Sequence, residues 1–134
     1  MMTEAKLTPE DRDLINSRNR AHLATLNPDG SPQVSPVWVD AEGDLIRVNT
    51  ARGRVKERNV RRDPRVAVSV TADDDPLRRV MVQGEVVNLT EEGAVDHIHA
   101  LARRYDGTDY RGLSPEMTRV IIEIRPRRVT RAGG

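Results

Sequence analysis

Between Thr50 and Arg65 the sequence reads TARGRVKERNVRRDPR, setting Arg52, Arg54, Lys56, Arg58, Arg61, Arg62 and Arg65 against only Glu57 and Asp63. That segment is +5 in a chain whose formal net charge is +1, so the remainder of the molecule sums to −4. Guanidinium groups meet phosphate oxygens as planar forks and a lysine ammonium meets them as a point charge, so such clustering suits an anionic ligand. The other reading is a solvated helix whose arginines pair with acids elsewhere. Only Val55 and Val60 in this stretch ask for burial, too few for an ordinary amphipathic helix, which favours the ligand. A helix over about Arg52 to Arg61, stopped before Pro64, sets Arg52, Lys56 and Asn59 near one face. Gly53 then lets backbone N–H groups at the helix start approach an anion closely.

Other chemistries find less support. The basic stretch has no interleaved aromatics on which bases could stack, and the chain lacks the overall positive balance of a nucleic-acid-binding domain. His97 and His99 stand two apart on a helical pattern and point to opposite sides, while His22 sits alone in a strand, so no shared metal site is expected. Asp73, Asp74 and Asp75 read as a solvated hairpin tip because their spacing matches no calcium loop. Ser35, Ser69 and Ser114 lack a nucleophile elbow, and the chain has neither a Walker loop nor a G-x-G-x-x-G fingerprint. Tyr105 and Tyr110 could face a substrate from a late loop. With no cysteine, thiolate chemistry and disulfides are excluded. What remains is an anion socket without a reactive side chain, the situation in which a bound cofactor supplies the chemistry.

The elements that must hold this socket are mostly strands. A helix is expected over Pro9 to about Arg18, capped by Thr8. AHLATL and PQVSPVWVD flank NPDGS as a hairpin, and DAEGD turns into LIRVNT, so three antiparallel strands should form a meander. RVAVSVTA alternates strongly, and RRVMVQGEVVNLT reads as a long strand with a bulge at Gly84. Thr90 can cap a helix over EEGAVDHIHALARRY. MTRVIIEIRP is a last core strand, with RRVTRAGG as an edge strand or tail. The fold class is mainly β with short flanking helices (α+β): a six- to seven-stranded antiparallel barrel, closed or nearly so, in one domain over residues 1–134. With no Phe, one Trp and two Tyr, the core must be aliphatic, and a dimer would supply burial that a single chain lacks. The charged N-terminus and the absence of a long apolar run point to a cytoplasmic protein without a membrane span.

Two motifs carry a family resemblance. HLATLNPDGSPQVSPVWVD and IRVNTARGRVKERNVRRDPRVAVSV together resemble the split β-barrel flavin and deazaflavin oxidoreductases related to pyridoxamine 5′-phosphate oxidase. The resemblance implies a homodimer with cofactor sites in grooves between the barrels. It further implies that Thr50, Arg54, Val55, Lys56 and Asn59, with Asn49 beside them, surround the cofactor phosphate. Ser35, Pro36, Val37 and Trp38 would back the tricyclic ring, and the partner would contribute Met81 to Gly84, Gln83 included, and the C-terminal strand. Two cofactors remain open, FMN and coenzyme F420, an 8-hydroxy-5-deazaflavin with an anionic oligoglutamate tail. Arginines beyond those needed for one phosphate fit the longer tail, and the compact chain is similar to the small actinobacterial deazaflavin branch. The implied activity is hydride transfer to a small organic acceptor, with a non-catalytic cofactor-binding module as the alternative.

Overall fold

A computed structural model describes residues 5–131. Along the chain run α1 (Pro9–Ile15), β1 (Arg20–Leu26), β2 (Pro32–Val37), β3 (Val39–Glu42), β4 (Leu45–Ala51), α2 (Val55–Arg62), β5 (Arg65–Thr71), β6 (Arg79–Thr90), α3 (Ala94–Asp106) and β7 (Arg119–Thr130). All seven strands join one antiparallel sheet in the order β2-β1-β5-β6-β7-β4-β3.

That order corrects the expected meander. PQVSPVWVD is divided at Trp38: β2 pairs β1 at one sheet edge, while β3 pairs β4 at the other. In a flat sheet six strand spacings of about 4.8 Å would hold these edges nearly 30 Å apart. A single residue separates them in sequence, a span of about 7 Å at most. The sheet therefore curls on itself until its edges approach at Trp38. The alternation in the sequence runs through this corner without a break, so nothing local announced it.

The inward face is aliphatic. Leu23, Val39, Ile46, Val48, Val68, Val70, Val80, Val82, Ile122 and Ile124 form one buried cluster with Leu14 and Ile15 of α1. β-Branched residues dominate it, as a pleated and tightly curved surface favours. None of the three aromatic side chains belongs to it.

Helix boundaries are tighter than expected. Thr8 and Asp11 form a reciprocal capping box on α1, which ends at Ile15, and Asn19 Nδ2 donates to the Leu14 carbonyl freed at that end at 2.8 Å. α2 begins at Val55, leaving Arg52 and Gly53 in the preceding turn. α3 begins at Ala94 with Gly93 as its N-cap, while the Thr90 hydroxyl accepts from the Glu92 N–H instead. RRVT is not a separate strand or tail: it continues β7, whose residues 119–124 lie between β6 and β4 while residues 128–130 pair with β6 alone. Pro126 is tolerated there because it faces Gly84 where the β6–β7 register shifts, so no ladder donor is demanded of it. Residues 132–134 lie outside the described residues.

Gly84 is required by proximity. A Cβ at this position would stand 2.7 Å from the Arg125 carbonyl oxygen and 2.9 Å from the Ile124 side chain. Gly84→Ala should therefore cost about 1–3 kcal/mol by overpacking. Urea denaturation reads this directly, and an unchanged midpoint would show that the bulge has more room than its geometry indicates.

Candidate functional site

The basic segment folds into two sets of charges. Glu57 is fully buried in α2 and accepts from the Gly53 N–H at 2.7 Å, from Arg52 at 3.3 Å and from Arg61 at 2.6 Å. Arg52 also binds Glu91, Arg65 is paired with Asp63, and Arg62 donates to the Leu26 carbonyl and Asn59. These groups are already satisfied. Gly53 does adopt the left-handed backbone, φ 90°, but its N–H points to Glu57 and is not free for a ligand. Arg58 stays exposed on the helix.

The second set converges. Arg54 and Lys56 meet Arg119, the first residue of β7, at a cleft of about 350 Å³ lined also by Pro36, Val37, Trp38, Asn49, Ile98 and Tyr110. The register pairing Ala51 with Arg119 brings this distant arginine beside the basic turn. Among the described residues no carboxylate lies within ion-pair distance of Arg54, Lys56 or Arg119. Burial and the charges of Arg54 and Arg119 push the Lys56 ammonium below its ordinary pKa. Burial likewise pulls Arg119 down, Arg54 adds to this, and Tyr110 opposes it. Such mutual repulsion is relieved by an anion, as a phosphate ester would do.

Arg119 is only 4% exposed, so its orientation matters. Its Nε donates to Asn49 Oδ1 at 2.9 Å, and its guanidinium lies 5.0 Å from the centre of the Tyr110 ring. Beside it stands Trp38, stacked on Tyr105 at 5.5 Å and meeting Tyr110 edge-on at 6.3 Å. Trp38 and Tyr110 line the cleft, and Tyr105, which does not, is stacked on Trp38, so the three Trp and Tyr residues of the chain form one cluster. Core packing does not account for them. They form a wall suited to a flat, conjugated molecule.

The expected site residues separate into groups. Pro36, Val37, Trp38, Asn49, Arg54 and Lys56 share the cleft. Val55 opens α2 and is exposed, and Ser35 is half-buried on β2. Thr50 is buried with an unpartnered hydroxyl, and strand alternation turns it from Asn49 to the face of Ile46 and Val48. Asn59 is buried and donates to Thr25 at 3.0 Å and Asn27 at 3.1 Å, so it ties α2 to the end of β1. Met81 and Gln83 line a different cavity of about 590 Å³ with His22, Ser69 and Arg128 on the sheet surface. The sequence reading missed Arg119. The available signal was an arginine entering the apolar run RVIIEI.

A polar chain supports the cleft from behind. Arg47 binds both oxygens of Asp40, at 3.0 and 2.8 Å, and Asp40 Oδ1 lies 3.1 Å from His97 Nε2. His97 Nδ1 lies 3.0 Å from Asn49 Nδ2, whose other contact is the Ala94 carbonyl at 2.8 Å.

Residues 7–132 match the family model for pyridoxamine 5′-phosphate oxidase. An F420 reductase of known structure is 34% identical, with a TM-score of 0.80 over 89% of this chain and 94% of that one. A conserved hypothetical protein of Mycobacterium tuberculosis is 28% identical, with a TM-score of 0.71 over 94% of this chain and 84% of the other. General stress protein 26 of Bacillus anthracis shares the fold at 20% identity, with a TM-score of 0.68 over 90% and 88% of the two chains. The chain belongs to the pyridoxamine 5′-phosphate oxidase family, and its curled seven-stranded sheet is that family's split barrel. Among the described residues, no helix is long and apolar enough to cross a membrane.

Asp40 carries a pH prediction. Burial pulls its carboxyl upward, but hydrogen bonds from His97 and Arg47 outweigh this and hold it below the ordinary value. A depressed folded-state pKa contributes stability that is fully present above the unfolded value, about 3.9, and is lost as pH falls through the folded one. Asp40→Asn should therefore be less stable at neutral pH and show a flatter decline below about pH 4. Superimposable acid limbs in thermal unfolding would contradict this.

Proposed function

We propose that this protein is an oxidoreductase that uses coenzyme F420 to reduce a small organic acceptor, working as a homodimer in the cytoplasm. One observation carries the reading: three cations without a carboxylate partner among the described residues adjoin a wall of Trp38 and Tyr110, with Tyr105 stacked on Trp38. That donor set fits a phosphate ester joined to a flat heterocycle. Arg54, Lys56 and Arg119 would hold the phosphate, with Asn49 orienting Arg119. Pro36, Val37 and Trp38 would face the ring, with Ser35 behind them. When bound, the reduced deazaflavin supplies a hydride from C5.

The side chains themselves bind, orient and exclude water; no side chain is assigned as proton donor. Thr50, Val55 and Asn59 would shape the phosphate turn rather than touch the ligand through side-chain charge. Met81 and Gln83 do not share the cleft with Lys56 in one chain, in keeping with their offering a surface to the partner. The preference for F420 is supported by the 34% identical F420 reductase and by exposed Arg58, available to an acidic tail. FMN is the second reading, favoured by the match to the pyridoxamine 5′-phosphate oxidase model.

Arg54→Ala combined with Lys56→Ala should weaken cofactor binding about a hundredfold, as expected for losing two charge-assisted hydrogen bonds. The unfolding temperature should hold or rise, because the change removes like-charge repulsion. Fluorescence titration of the cofactor-free protein with F420 and with FMN checks the affinity, and thermal unfolding checks the stability. Undiminished affinity in the double variant defeats the phosphate assignment, and tighter binding of FMN than of F420 replaces the cofactor with its rival.

A further inference from the structure

The polar chain behind the cleft contains one proton whose position can be deduced. Asn49 Nδ2 donates to the Ala94 carbonyl and Asn49 Oδ1 accepts from Arg119, so the amide orientation is fixed independently of the histidine. His97 Nδ1 faces that same Nδ2 at 3.0 Å and must accept, which leaves the ring proton on Nε2, toward Asp40. A second proton, on Nδ1, would confront the Asn49 N–H donor. Turning the amide to receive it would break the bond to Ala94 and set Nδ2 against the Arg119 Nε–H.

We propose that His97 is a positioning residue, which in its neutral Nε2–H form fixes Asn49 and through it Arg119, so that protonating His97 loosens Arg119 and weakens anion binding at the cleft. This rests on the reading of the cleft as an anion site. The groups facing the imidazole are Asp40 of β3, backed by Arg47 of β4, and Asn49 with Arg119 of β7 beyond it. On α3 itself, Arg104 donates to the carbonyl of Val39, next to Asp40. A proton on Nδ1 and the Asn49 N–H cannot occupy the same contact, so that proton and the grip on Arg119 exclude each other. Simple charge attraction has the opposite sign, because an added positive charge near the cleft would strengthen anion binding. The direction of the pH dependence therefore separates the two.

The test uses the full chain and sulfate, which stays a dianion across the range examined. Sulfate affinity is read from the NMR signals of the Arg119 Nε–H and the Lys56 side chain at constant ionic strength. On going from about pH 8 to about pH 5.5, wild-type affinity should fall about fivefold. His97→Gln can still accept from Asn49 and donate to Asp40, so it should keep the alkaline affinity and lose the pH dependence. His97→Leu removes the link between Asp40 and Asn49, leaving Asp40 to Arg47 and Asn49 without its histidine acceptor, and should bind about tenfold more weakly throughout; if it does not fold, His97→Gln decides. Affinity that stays level or rises on acidification overturns the proposal, as does a wild-type profile in His97→Gln, which would point to another group such as His99. No response of Arg119 or Lys56 to sulfate at any pH removes the anion site itself, and the proposal with it.

Discussion

Arg54, Lys56 and Arg119 repel one another, and Arg119 does so from an almost fully buried position, so the surrounding structure has to hold them together. A neutral surface would let such groups splay into water, where screening removes most of their interaction. Here the β4–β7 register fixes the position of Arg119 and Asn49 fixes its orientation. Arg54 and Lys56 enter from the start of α2, whose turn is held by the buried carboxylate of Glu57. Repulsion stored in one place without a counter-charge is a weak way to stabilise a fold. It is an effective way to prepare an anion site, because the cost of assembling the cations is met on folding rather than on binding.

The same architecture explains why so many arginines occur together while so few face the cleft. Glu57 neutralises Arg52 and Arg61, Asp63 takes Arg65, and Arg62 is spent on a carbonyl and on Asn59. These pairs shape the turn and anchor α2. Their removal from the electrostatic account leaves a compact positive site rather than a diffuse basic patch. A diffuse patch would suit nucleic acid, whereas a compact one beside an aromatic wall suits a discrete phosphate ester carrying a ring.

Local features were readable from sequence. The Thr8 cap and the β1–β2 hairpin depend on neighbours a few residues away, and the structure reproduces them; the Gly84 bulge was readable from the glycine itself, although its partners lie on β7. The basic segment was legible as a concentration of charge because it stood out against a nearly neutral chain. Three things were not. Trp38 divides two strands that end on opposite sheet edges, yet the alternation runs straight through it. Arg119 joins Lys56 only through a strand pairing more than sixty residues long in contact order, which no periodicity encodes. Asn59 was expected near the ligand from helical spacing, but the buried amide bonds Thr25 and Asn27 instead, a partnership set by how α2 lies on β1.

On this reading a phosphate ester sits among these three cations with its ring toward Trp38. A crystal structure of the protein with coenzyme F420 tests it most directly. Phosphate oxygens should lie within hydrogen-bond reach of the side chains of Arg54, Lys56 and Arg119. A phosphate seated elsewhere, for example over Met81 and Gln83 of the same chain, would contradict it.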